Sequence, residues 1–93
     1  MAVDDDGVIG RGSALGSGAT ADRTAQEHAA LFAEAFKAAL KDIDEADLEI
    51  VLEAYRQENR RPTFDVKYSI DLEIGSVEAV RYHAKIQVAD WPL

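Results

Sequence analysis

Between Phe64 and Val88 the chain alternates between apolar and polar residues. Phe64, Val66, Tyr68, Ile70, Leu72 and Ile74 are separated by Asp65, Lys67, Ser69, Asp71 and Glu73. After Gly75-Ser76 a second run follows: Val80, Tyr82, Ala84, Ile86 and Val88, interleaved with Arg81, His83, Lys85 and Gln87. A period of two with one apolar and one charged face predicts two half-buried antiparallel strands joined by a tight connection. Such a pair must be covered on its apolar side.

Parity restricts the pairing. Directly opposed residues lie on the same face, and both apolar rows are even-numbered, so opposed numbers must sum to an even number. A plain two-residue Gly75-Ser76 loop breaks this rule and turns one apolar row to water. The connection is therefore an odd loop, or a Gly-Ser turn with a bulge near Glu78-Ala79. One permitted register opposes Leu72 to Val80, Ile70 to Tyr82 and Lys67 to Lys85. The other opposes Ile74 to Val80 and Leu72 to Tyr82, and sets Glu73 beside Arg81 and Asp71 beside His83. Opposite charges favour the second by a few tenths of a kcal/mol per pair, up to about 1.

The cover comes from the preceding segment. Leu31, Phe32, Ala35, Phe36, Ala39, Leu40 and Ile43 recur at three and four, an apolar helical stripe, and the many alanines favour helix and close approach. Asp22 or Thr24 can cap this helix, Thr24 with Glu27 at capping-box spacing. Asp44 then suits the N-cap of a second helix, with Ile43 and Leu48 as its hydrophobic staple. Leu48, Val51, Leu52 and Tyr55 face inward, and Pro62 ends the helix. The alternative is one helix bent at Asp42 to Asp44. Residues 1–21, rich in Gly, Ala, Ser and Asp, have the composition of a flexible tail. The expected fold is α+β: two helices, or one bent helix, on an antiparallel β-hairpin, with residues 22–93 as a single domain behind the tail.

Several chemistries are poorly supported. There is no cysteine, which excludes disulfides and Cys-based zinc sites. The net charge of −8 argues against direct nucleic-acid binding and is compatible with a basic protein partner. No apolar run reaches the roughly 20 residues of a membrane span, and Asp4-Asp5-Asp6 stands where a signal peptide would be basic, so the expected location is cytoplasmic. Gly10-Arg11-Gly12 lacks the strand before it and the Gly-Lys-Ser/Thr ending of a phosphate loop. Asp42, Asp44 and Glu53 fall at positions 1, 3 and 12 of a calcium loop, but Asp47 replaces the glycine needed at position 6. Helix capping accounts for these carboxylates. Ser69, His83 and Asp71 can be drawn as a triad, yet an open strand face offers no oxyanion hole or dry pocket. No cofactor, metal or catalytic residue is expected.

The helical segment followed by Arg60-Arg61-Pro62-Thr63-Phe64-Asp65-Val66-Lys67 and a charged hairpin resembles small accessory proteins encoded in phages and prophages. The resemblance spans residues 24–90, rests on layout, and implies at most an accessory or assembly role in a bacterial host or phage. It carries no functional residue.

Two functions follow from these features. A lone hairpin has two open edges, and a core of about seventy residues is marginal by itself. Both point to a non-enzymatic module that self-associates, a dimer first, with Tyr68, Ile70, Tyr82, Ile86 and Trp91 as interface candidates. The alternative is an acidic mimic of nucleic acid, of the phage anti-defence type, that binds a basic protein through Asp42, Asp44, Glu45, Asp47, Glu49 and Glu53. Arg56, Arg60, Arg61, Lys67, Arg81 and Lys85 are the candidates for a basic patch.

Overall fold

A computed structural model describes residues 3–17, 24–72 and 79–93. Five elements follow one another: β1 (Val8–Ser17), α1 (Ala25–Asp42), α2 (Glu45–Gln57), β2 (Phe64–Leu72) and β3 (Ala79–Val88). The class is α+β, with two helices and an antiparallel sheet. Thr24 caps α1, its Oγ1 accepting from the Glu27 amide at 3.2 Å. The helices are separate: the chain is extended at Ile43 and Asp44, and Asp44 Oδ1 accepts from the Ala46 and Asp47 amides at 2.7 and 3.4 Å. Asp22 and the Gly75-Ser76 connection lie outside the described residues.

The sheet has three strands in the order β1-β3-β2, every neighbour antiparallel. This corrects the reading of residues 1–21 as a tail over Val8–Ser17, where the chain is a strand paired with β3. Residues 18–21 lie outside the described part. β1 alternates in size rather than hydropathy. Gly10, Gly12, Ala14 and Gly16 pair with the even-numbered residues of β3 and share their face, while Arg11, Ser13 and Leu15 are on the other.

The small residues admit the helix. A Cβ on Gly10 would sit 2.5 Å from the Ala39 carbonyl oxygen, and one on Gly12 would overlap the Ala39 nitrogen and the Ala35 carbonyl oxygen. The backbone of α1 therefore rests directly on β1, with Ala35 and Ala39 wholly buried between them. Glycine ordinarily weakens a strand, and its usual justification is such a close backbone approach.

β2 and β3 pair as Phe64↔Val88, Lys67↔Lys85, Ile70↔Tyr82 and Leu72↔Val80. This is the register that cross-strand charge disfavoured. Packing on the inner face gives the physical reason. Phe32 of α1 stands edge-on to both Tyr68 and Tyr82, with ring centroids 5.0 Å apart in each case. Such aromatic pairs contribute roughly 0.5–1.5 kcal/mol each beyond their buried area, against the few tenths of an exposed charge pair. Asp71 also keeps its partner diagonally, since His83 Nε2 donates to Asp71 Oδ2 at 2.7 Å.

Tyr82 is wholly buried, and among the described residues its hydroxyl has one partner: Tyr82 Oη and His28 Nδ1 share a hydrogen bond of 2.7 Å. His28→Ala should destabilise the fold by about 1–3 kcal/mol, the cost of stranding a buried polar group. Adding Tyr82→Phe should recover part of that loss. Urea unfolding of the two single variants and the double variant measures both.

Candidate functional site

β2 is an edge strand, and α1 lies over β1 and β3 rather than over it. Its apolar row is thus only partly covered: Val66, Tyr68 and Ile70 remain 37, 49 and 39% exposed. The opposite row, Asp65, Lys67, Ser69 and Asp71, is exposed as well. Among the described residues no strand pairs with the outer edge of β2.

The other sheet edge is blunted. A bulge between Val8 and Gly10 interrupts the ladder of β1. Asp42, at the end of α1, accepts a hydrogen bond from the Arg11 amide at 2.9 Å. Bulges and edge-facing carboxylates are ordinary means of discouraging strand addition. β2 has only the alternating charges of its outer face.

Beside Val66 an apolar groove of about 250 Å³ opens between the helices and the sheet, lined by Phe36, Leu40, Ile43, Leu48 and Phe64 among others. Ile43 and Leu48, the two staple positions, both line it.

The structure divides the five interface candidates. Tyr68 and Ile70 lie on the open strand. Tyr82 and Ile86 are 0 and 4% exposed and belong to the core, because β3 is the central strand and α1 covers its even-numbered row. They are thereby corrected from interface candidates to core residues of the chain itself. Trp91 is half-buried against the core, its Cβ 2.7 Å from where Gly7, at φ +76°, would carry one.

The acidic candidates are partly committed within the fold. Asp42 meets the β1 edge and Asp44 caps α2. Glu53 and Glu49 pair with Arg56 at 2.5 and 3.9 Å. Asp47 is half-buried, while Glu45 is exposed. Among the described residues no three His, Asp or Glu side chains form a possible metal site.

The six basic candidates do not form one patch. Arg56 pairs with those glutamates, and Arg60 pairs with Asp90 at 3.2 Å. Lys67, Arg81 and Lys85 share the outer sheet face with Arg11, which the composition of residues 1–21 assigns to a tail. The cue for Arg11 was present in the alternation of small and larger residues from Gly10 to Gly16. On the same face Ser69 is opposite His83. His83 bonds Asp71, but among the described residues no hydrogen bond links it to Ser69.

No described helix is long and apolar enough to cross a membrane. Comparison of the chain with protein-family models, with curated proteins and with solved structures gives no match.

Proposed function

We propose that the chain is a self-associating interaction module whose β2 edge pairs with β2 of a second copy. The observation that carries this reading is the open edge, bordered on its inner side by the partly exposed Val66, Tyr68 and Ile70. A two-fold antiparallel pairing would extend two three-stranded sheets into one of six strands. Such an interface is isologous, each contact occurring twice.

Charge favours one of the three registers centred on Lys67, Tyr68 or Ser69. Centred on Ser69, the pairing sets Lys67 of each copy opposite Asp71 of the other and Tyr68 opposite Ile70. Centred on Lys67, it would oppose lysine to lysine. Centred on Tyr68, it would oppose Asp65 to Asp71. The Ser69 register also gives Lys67 an acidic neighbour to balance Lys85, its like-charged partner within the sheet.

Light scattering after size-exclusion chromatography should return twice the chain mass. Lys67→Asp alone and Asp71→Lys alone should each weaken the dimer, and the double exchange should restore it, since opposed opposite charges stabilise and like charges destabilise. A monomer at all concentrations would refute the reading. A dimer insensitive to both exchanges would move the interface elsewhere.

A further inference from the structure

The outer sheet face differs in charge from the rest of the molecule. Arg11, Lys85 and Lys67 are opposed across three adjacent strands, Arg11↔Lys85 in one ladder and Lys67↔Lys85 in the other. Like charges directly opposite one another are destabilising. Here three stand in a single row, although the same register opposes Asp71 to Arg81 farther along the β2–β3 ladder. Arg81 lies on the same face, so it holds four of the chain's ten lysines and arginines against Asp65 and Asp71.

The row is not neutralised from within. Asp71 is taken by His83 at 2.7 Å. Asp6 approaches Arg11 only to 3.9 Å, with both side chains more than half exposed. No ion pair to Lys67 or Lys85 occurs among the described residues. The next row, Ser13, His83 and Ser69, adds two hydroxyls and an imidazole. The surface over these rows is a depression of about 440 Å³, with Arg11, Lys67, Ser69, His83 and Lys85 among its walls.

We infer that this depression binds a small multivalent oxyanion of the phosphoryl class, held by Arg11, Lys85 and Lys67 with the Ser69 hydroxyl beside them. Long basic side chains on neighbouring strands can converge on one anion, and charge-assisted hydrogen bonds to phosphoryl oxygens are the strong kind. The global charge of −8 sets the size of the ligand. An extended polyanion would meet repulsion beyond the patch, whereas a compact anion feels mainly the local field, because screening limits the reach of exposed charges to about 10 Å.

Titration of the whole chain with pyrophosphate at about 0.1 M ionic strength, followed by calorimetry and by amide chemical shifts, tests the assignment. Saturable binding is expected, with shifts at Arg11, Lys67 and Lys85, and with orthophosphate binding more weakly. Lys85→Gln and Arg11→Gln should each weaken binding roughly tenfold, the loss of one charge-assisted contact. Asp6→Asn should tighten it. No saturation in the millimolar range would overturn the site. So would a Lys85→Gln chain that melts normally and binds like the parent. Tighter binding of a single-stranded oligonucleotide than of pyrophosphate would overturn the small-anion assignment. Lys67 and Ser69 serve both readings, so the separation rests on Arg11, which lies on β1 away from the β2 edge: Arg11→Gln should weaken the anion while light scattering of the same variant still returns the dimer.

Discussion

Replacing Gly12 with valine should unfold most of the protein at room temperature. A Cβ at this position overlaps the α1 backbone at Ala35 and Ala39. A backbone cannot turn aside as a side chain does, so α1 must lift from β1. Even a methyl group should cost about 1–3 kcal/mol, the usual range for overpacking. Valine adds two more carbons and separates Ala35 and Ala39 from their contact. Native domains hold only about 5–15 kcal/mol in total, and small ones sit at the low end. Gly12→Ala should therefore give a folded chain with a lowered melting temperature. Gly12→Val should give one without a cooperative transition by circular dichroism. A flexible tail would tolerate both substitutions.

Tyr55→Ala should release α2 while the sheet and α1 persist. Among the described residues α2 makes few close backbone approaches to the other elements, and its buried residues are Val51 and Tyr55. Tyr55 is 1% exposed. Its hydroxyl donates to the Thr63 carbonyl at 2.8 Å and lies 3.2 Å from the Ala89 carbonyl. It thus joins α2 to the segment entering β2 and to the one leaving β3. Truncation of a buried aromatic costs about 3–5 kcal/mol, enough to loosen a helix whose fully buried side chains are Val51 and Tyr55. Hydrogen exchange should show protection lost from Leu48 to Gln57 and kept in α1 and β3. Tyr55→Phe isolates the hydroxyl and should cost about 1–3 kcal/mol.

The elements most legible in the sequence are those in which hydropathy carries the period. The alternation from Phe64 to Val88 gave both strands of the hairpin, and the three-four spacing from Leu31 to Ile43 gave α1. The cap residues Thr24 and Asp44 marked helix starts. β1 was hidden because its buried row is Gly10, Gly12, Ala14 and Gly16, and a sequence reads such residues as freedom until the helix they admit is known. The register was misjudged for a related reason. Cross-strand charges are visible in a line of letters, whereas the place of Phe32 between Tyr68 and Tyr82 depends on a helix packed from elsewhere. The same omission puts Arg11 in a tail and two core residues, Tyr82 and Ile86, among the interface candidates. Tyr68 and Ile70 stay partly exposed because they lie on the edge strand, where α1 reaches Tyr68 through Phe32 but does not cover the row.

The central place of β3 also governs the order in which the molecule can assemble. β1 and β2 pair with β3 and not with each other, yet β3 follows every other element along the chain. During synthesis β1, α1, α2 and β2 all emerge before any strand has its partner, and the ladder from β1 closes over nearly the whole length of the domain. Pairing at such separation is slow. Through that interval the row Phe64, Val66, Tyr68, Ile70 is displayed without its native neighbour, as an invitation to other nascent chains. Asp65, Lys67 and Asp71, set between those residues, then act as gatekeepers of a growing polypeptide before they serve as the outer face of a finished sheet.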